Sequence, residues 1–301
     1  MLVVDSAQKS FGRVAAVRGV SFSICDGATF GLLGPNGAGK TTMMRMIVGI
    51  LTPDGGTIRW DGTPIDERVR RRFGYLPEER GLYGRMRVRD HIIYFGRLHG
   101  VGAAEAARRT DEWLERLDLQ SDARRPCAEL SKGNQQKVQV ACAAVHHPDL
   151  LILDEPFSGL DPVNGNILLD LLLALRRGGT TLVLSSHEMW QLERLCSEFC
   201  IISQGRTLAS GTLADLRSEW PMRRIRVAPA GDAAKSVLGR IAGARLGSES
   251  NGALEADLPR ETDLAALLRR LVEIEAIVAF EPLEPTLRDL YLRAVGEAQE
   301  R

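Results

Sequence analysis

Eight consecutive residues, Gly34-Pro35-Asn36-Gly37-Ala38-Gly39-Lys40-Thr41, limit what this chain can fold into more than any other stretch. They follow the apolar run Thr29–Leu33 and precede Thr41–Gly49, where Met43, Met44, Met46 and Ile47 recur at helical spacing. A GxxxxGK[ST] spacing between a strand and a helix is a phosphate-binding loop. Its glycines let backbone N–H groups turn inward around phosphate oxygens, and the helix N-terminus adds a favourable dipole. Lys40 is predicted to reach the β- and γ-phosphates and the Thr41 hydroxyl to ligate Mg²⁺, with Thr42 beside it. The expected ligand set is therefore Gly34, Pro35, Asn36, Gly37, Ala38, Gly39, Lys40, Thr41 and Thr42, holding the phosphates of a nucleotide together with Mg²⁺.

The surrounding pattern is α/β. Leu2–Val4 and Val20–Ile24 read as strands; Leu150–Leu153 and Thr181–Leu184 are nearly all apolar, as expected of parallel strands buried on both faces. Residues 85–122 read as mainly helical, and helical patterns at 133–146, 162–177 and 188–196 alternate with the strands. The pattern restarts after Trp220-Pro221-Met222. It then reads strand (Ile225–Val227), helix (233–242), two strands turning at Asn251-Gly252, helix (263–273), strand (Ala276–Phe280) and helix (286–295). That βαββαβ order predicts a small ferredoxin-like α+β domain over 223–297, behind a nucleotide-binding domain over 1–220.

Composition excludes several classes. With 44% hydrophobic and 26% charged residues, the chain is globular rather than disordered. Its 39 basic and 39 acidic residues cancel, which argues against a nucleic-acid partner. Arg68–Arg72, interrupted by Val69, is read as a solvated basic turn. Five cysteines without a CxxC pair suggest neither zinc nor a redox dithiol; the Cys196–Cys200 spacing allows a shared helical face, but the two read as small half-buried residues. No signal peptide is predicted at the N-terminus. Apolar runs such as Leu168–Leu175 fall far short of the roughly 20 residues that span a bilayer.

A second chemical element is Leu150-Leu151-Ile152-Leu153-Asp154-Glu155. An apolar strand ending in two carboxylates presents them at the carboxyl edge of a parallel sheet, where nucleotides bind. Asp154 is predicted to serve Mg²⁺ and Glu155 to polarise an attacking water as general base.

Shortly before that strand, Leu130-Ser131-Lys132-Gly133-Asn134-Gln135-Gln136-Lys137 resembles the LSGGQ signature of the ABC ATPase family, with Lys132 for a glycine and Asn134 for the glutamine. Ser131 is equally a good helix cap. The resemblance covers about 1–220 and supplies further roles. It implies that Ser131 and Gly133 contact the γ-phosphate held by a second copy, and that Phe11 stacks on adenine unless it is a core residue. Ser158-Gly159-Leu160-Asp161 would cross the dimer interface, and His187 would sense the γ-phosphate. In Tyr75-Leu76-Pro77-Glu78-Glu79-Arg80, Glu78 stands where the family has Gln, as a Mg²⁺ and water ligand or a merely solvated side chain. His146 and His147 match no motif and read as structural or surface residues.

The implied fold is a P-loop NTPase of the ABC ATPase type: a parallel core sheet, an antiparallel β subdomain, a helical subdomain and the small C-terminal domain. The implied activity is ATP hydrolysis by a head-to-tail pair of copies. It would power a transporter, an exporter in the reading of LPEERGLY and LSKGNQQK, through separate integral-membrane permease subunits at the cytoplasmic face of the membrane. The segment Glu78–Gly100 would carry the stroke, and Glu284–Leu292 resembles the closing helix of the C-terminal domain. A soluble ABC ATPase acting on ribosomes or DNA is the alternative, but the single phosphate loop and uninterrupted cassette speak against it. Lys40, Asp154, Glu155 and His187 together speak against a subunit that binds ATP without turnover.

Overall fold

The alternation of apolar runs and helical repeats resolves, in a computed structural model describing residues 1–79, 81–186 and 189–299, into two units. The first comprises Met1–Leu213 with the end of the C-terminal helix, the second Ala214–Leu292. The first opens with β1 (Leu2–Phe11), β2 (Val14–Ile24), β3 (Thr29–Leu33), α1 (Lys40–Ile47), β4 (Gly55–Trp60), β5 (Thr63–Pro64), α2 (Glu67–Arg70) and β6 (Phe73–Leu76). It continues with α3 (Val88–Leu98), α4 (Ala103–Arg116), α5 (Lys132–Ala144), β7 (Leu150–Asp154) and α6 (Pro162–Arg177). It ends with β8 (Thr181–Ser185), α7 (Met189–Leu195), β9 (Glu198–Ser203) and β10 (Arg206–Thr212).

Its core is a six-stranded sheet in the order β10-β9-β3-β8-β7-β6. The pairs β9–β3, β3–β8, β8–β7 and β7–β6 are parallel, and β10 closes one edge antiparallel to β9. Every residue of β3, β7 and β8 is buried, which explains why these strands read as unbroken apolar runs rather than alternating ones. Gly31 is required here by packing: a Cβ would come within 2.9 Å of the Phe199 ring. An antiparallel sheet, β2-β1-β4-β5, stacks its inner residues Leu2, Val4, Val20 and Ile24 with Met43, Met46 and Ile47 of α1 in one cluster. The helices α3, α4 and α5 pack together as the helical region, with Ile92, Ala106, Trp113, Leu114 and Val145 buried.

The N-terminal strands are longer than the apolar runs Leu2–Val4 and Val20–Ile24 foretell. Their outer halves pair across register shifts and are largely exposed, so they lack the hydrophobic signal. Cys196 and Cys200 do not share a helical face: Cys196 follows the end of α7 and Cys200 lies in β9, both buried.

The second unit contains α8 (Leu213–Ser218, of which Leu213 belongs to the first unit), β11 (Met222–Ala228), α9 (Asp232–Gly239), β12 (Arg245–Ser250), β13 (Ala253–Pro259), α10 (Leu264–Ile274), β14 (Ala279–Leu283) and the start of α11 (Leu287–Gln299). Its antiparallel sheet has the order β12-β13-β11-β14, the ferredoxin-like arrangement. Alternation sets its faces. Ile225, Val227, Leu254, Ala256 and Leu258 point inward and cluster with Val237, Leu238, Leu267 and Leu271 of the two helices. The Asn251-Gly252 turn has φ of 50° and 74°, the two left-handed residues that a two-residue hairpin loop needs.

Candidate active site

β3 delivers the chain to the loop 34–39, and Gly39, at φ 104°, opens α1. A Cβ on Gly39 would lie 2.4 Å from the Ala16 carbonyl oxygen, and one on Gly34 would lie 2.2 Å from that of Ile202. Glycine at these two positions lets the loop wrap closely against β2 and β9.

A cavity of about 370 Å³ lies against this loop, lined by Asn36, Gly37, Ala38, Gly39, Lys40, Thr41 and Thr42. Glu78, Asp154 and Glu155 face them, with Phe11 and Ala16 at the side. The structure thus brings together most of the residues expected from sequence. Gly34 and Pro35 sit behind the lining and act through their carbonyls, which accept from Lys40 Nζ at 2.8 and 3.2 Å. Burial pushes the Lys40 pKa below its ordinary value, against the opposing pull of Glu155, Asp154 and Glu78. Phe11 is 49% exposed at the end of β1, with Lys9 Nζ 5.9 Å from its ring centroid, so it is a surface ring at the cavity edge rather than a core residue. Glu78 is exposed at the cavity mouth.

The two carboxylates are held differently. Asp154, almost fully buried, accepts from Thr41 Oγ1 at 2.7 Å and from Ser185 Oγ at 2.6 Å. Glu155 is also buried; its N–H donates to Ser185 Oγ at 3.1 Å, and its backbone is left-handed at φ 53°. Ser185 therefore orients both residues, and the sequence reading missed it. Its signal was only its place as the last residue of a buried strand adjoining β7.

Ser131, Gly133 and Asp161 do not line this cavity. Ser131 caps α5, its Oγ accepting from the Asn134 N–H at 3.2 Å. Asp161 caps α6, accepting from the N–H groups of Val163 and Asn164 at 3.0 and 3.1 Å, with Pro162 at the first helical position. Those hydrogen bonds, led by Asn164, draw the Asp161 carboxyl below its ordinary pKa. Gly133 and Leu160 approach each other, so the signature turn and the Ser158–Asp161 loop form one surface. His187 lies outside the described residues.

A second cavity, of about 290 Å³, opens beside β6, α3 and α5; Ile50, Tyr75, Pro77, Phe95, Gln139 and Cys142 are among its walls. Ile50, Tyr83, Tyr94 and Leu98 are exposed apolar side chains nearby, and the rings of Tyr83 and Tyr94 pack on each other and on Phe95. His91, buried in the wall, accepts the Tyr83 N–H at Nε2 (3.1 Å). Nδ1 must then carry the proton and donate to Cys142 Sγ at 3.2 Å. Burial lowers the His91 pKa to about 4, so the ring is neutral near pH 7. Of the two readings offered for His146, structural or surface, the structure favours the first: it stacks on His99 with ring centroids 3.7 Å apart and bonds the Phe73 carbonyl.

Comparison with known proteins agrees with this geometry. Residues 17–158 match the family model "ABC transporter", and residues 211–295 match "ATP-binding protein DrrA1-3-like, C-terminal domain". The chain is 38% identical over 300 residues to the uncharacterized ABC transporter ATP-binding protein YhaQ of Bacillus subtilis, covering 100% of both. It is 42% identical over 210 residues to Nod factor export ATP-binding protein I of Paraburkholderia xenovorans, covering 69% of each. Among solved structures, a dimeric ATP-binding cassette in a post-hydrolysis state with ADP and Pi superposes with a TM-score of 0.66 at 23% identity. That match covers 71% of this chain and 99% of the other, a likeness of fold.

Proposed function

The chain belongs to the ABC transporter family as an ATP-binding, ATP-hydrolysing subunit, and from that premise we propose how its residues divide the work. Two copies pair head to tail. The phosphate loop of each grips one ATP, and Ser131 and Gly133 of the other copy close over the γ-phosphate. The observation that best supports this reading is the separation within one chain. The phosphate loop, Asp154 and Glu155 share a cavity, while Ser131 and Gly133 stand at the exposed start of α5, outside its lining.

Lys40 neutralises the β- and γ-phosphates, and Phe11 stacks on the adenine. Glu155 accepts a proton from water as the water oxygen bonds to the γ-phosphorus. The bond from that phosphorus to the bridging oxygen breaks, and ADP leaves with the oxygen. Thr41 and Asp154 are hard oxygen donors already joined at 2.7 Å, which suits Mg²⁺, a cation that takes few protein ligands. Glu78 offers a further oxygen at the cavity mouth. Bound there, Mg²⁺ would stabilise negative charge on the phosphates. By its motif, His187 senses the γ-phosphate and Asp161 belongs to the loop that crosses between copies.

No helix among the described residues is long and apolar enough to cross a membrane, so in this reading the path for cargo is formed by separate permease subunits. Their docking segment fits the cavity beside β6 and α3, where Ile50, Tyr83, Tyr94 and Leu98 stand exposed. The direction is export, supported by the Nod factor export relative and the DrrA-like C-terminal match. The comparisons lend no support to a ribosome- or DNA-acting ATPase.

The test is Glu155→Gln. The variant should bind ATP, lose hydrolysis by about 100-fold or more, and form dimers when ATP is added. Parental turnover would remove Glu155 as the base.

A further inference from the structure

Gln136 lies one turn inside α5, behind the signature turn, and is 5% exposed. Its Nε2 donates to the Pro156 carbonyl at 2.9 Å and stands 3.5 Å from the Glu155 carbonyl. One amide nitrogen carries two hydrogens and can serve both oxygens. The same stretch of backbone is strained, because Glu155 at φ 53° occupies the left-handed region that a residue with a Cβ disfavours. Such a conformation persists only where its surroundings over-determine it. Its clamps include the Ser185 hydroxyl from β8, the turn bond from Ser158 N–H to the Glu155 carbonyl, and Gln136 from α5. Of these three, Gln136 belongs to the helix whose N-terminus carries Ser131 and Gly133. The same helix start lies beside the loop that follows Glu155, since a Cβ placed on Gly133 would come 3.5 Å from Leu160 Cδ2.

In the head-to-tail arrangement these two ends of one chain serve different nucleotides. Ser131 and Gly133 meet the ATP on the partner's phosphate loop; Glu155 attacks through water on the ATP of its own. We propose that Gln136 is a positioning residue that couples the two nucleotide sites. Seating of α5 on one ATP fixes, through the Gln136 amide, the backbone that aims Glu155 at the other. The inference rests on the head-to-tail reading. Its consequence is cooperative hydrolysis, because each site completes the base of its neighbour.

A purely structural tie would also satisfy two buried carbonyls, so stability alone does not distinguish the two roles. The ATP dependence of hydrolysis does. Gln136→Leu keeps the bulk and removes the donor. It should lower kcat by about 10-fold, the equivalent of one hydrogen bond of about 1.4 kcal/mol, and bring the Hill coefficient from above 1 in the parent to about 1. Binding of a fluorescent ATP analogue to the phosphate loop should stay within about 2-fold of the parent, because Lys40 and its loop are untouched. Gln136→Glu supplies a pH signature. Its carboxylate cannot donate to the carbonyls, but the protonated acid can. The ratio of its kcat to the parental kcat should therefore rise as pH falls from about 8 to about 6.

A Hill coefficient of 1 in the parent, or parental kcat and Hill coefficient in folded Gln136→Leu, would overturn the coupling. So would a loss of kcat that follows only the loss of folded protein, with the Hill coefficient unchanged and the Gln136→Glu ratio flat with pH. Glu155→Gln measured alongside separates the two ideas. If ATP fails to dimerise it, the head-to-tail reading itself falls. If it dimerises while Gln136→Leu behaves as the parent, only the coupling falls.

Discussion

Ser185→Ala removes one oxygen that serves two residues of the site. The hydroxyl donates to Asp154 Oδ1 at 2.6 Å and accepts the Glu155 N–H at 3.1 Å, at a position with no solvent exposure. Alanine leaves a buried carboxylate short of a charge-assisted hydrogen bond worth about 1.5–3 kcal/mol, and a buried N–H without this acceptor, a cost of about 1–3 kcal/mol. Both terms act through one atom and overlap, so the expected loss is about 3 kcal/mol rather than the full sum. Urea unfolding followed by circular dichroism measures it. Activity should fall with it: without the hydroxyl, the Glu155 backbone loses one clamp and Asp154 is left with the Thr41 hydroxyl. ATP affinity should weaken only a few-fold, since the phosphate loop and Lys40 are unchanged. A Ser185→Ala protein within about 0.5 kcal/mol of the parent and with parental kcat would refute the claim that this hydroxyl holds the site together.

The remaining predictions concern charge and surface. Lys40→Met should abolish ATP binding yet stabilise the nucleotide-free protein near pH 7. Burial lowers the Lys40 pKa, so the charged form is penalised in the fold; the penalty is present below the folded pKa and fades as pH rises toward the ordinary 10.5. Thermal unfolding of parent and variant at pH 7 and near pH 10.5 checks both the sign and its disappearance. His91, with its pKa lowered from 6.5 to about 4, should cost about 3 kcal/mol of stability as pH falls through that window, because the unfolded chain takes up the proton first. His91→Gln should lose that part of the acid sensitivity in urea titrations at pH 7 and pH 4.5. Tyr94→Glu, on an exposed ring beside the apolar cavity, should leave hydrolysis by the isolated subunit within about 2-fold while abolishing co-purification with the permease. Undiminished co-purification would move the docking site elsewhere.

What the sequence disclosed followed from local chemistry. The phosphate loop was legible because strand, glycines, Lys40 and helix are consecutive, so one window holds the whole device. β7 and β8 were legible because burial on both faces leaves them uniformly apolar, and the C-terminal hairpin because Asn251-Gly252 demands one kind of turn. The outer halves of β1 and β2, and the strands β4, β6, β9 and β10, were not foretold. Apart from β9, whose buried run Phe199–Ile202 was overlooked, their residues are partly exposed, short in extent or mixed in polarity, and non-local pairing decides them. The same limit hid the supports of the site. Ser185, Gln136 and His91 act across 31, 20 and 8 residues of sequence, on Asp154, Pro156 and Tyr83 respectively, and nothing in their neighbours announces the partner. For Cys196 and Cys200 the reading as two small, half-buried residues is the one closer to the structure, where both are buried and a strand begins at Glu198 between them.

The central claim is that ATP is held between two copies, and the most direct measurement is a crystal structure of Glu155→Gln grown with Mg²⁺ and ATP. The account predicts the γ-phosphate against Lys40 of one copy and about 3 Å from the Ser131 hydroxyl of the other. A nucleotide bound away from Gly34–Thr41, or a dimer in which Ser131 faces solvent with ATP in place, would contradict it.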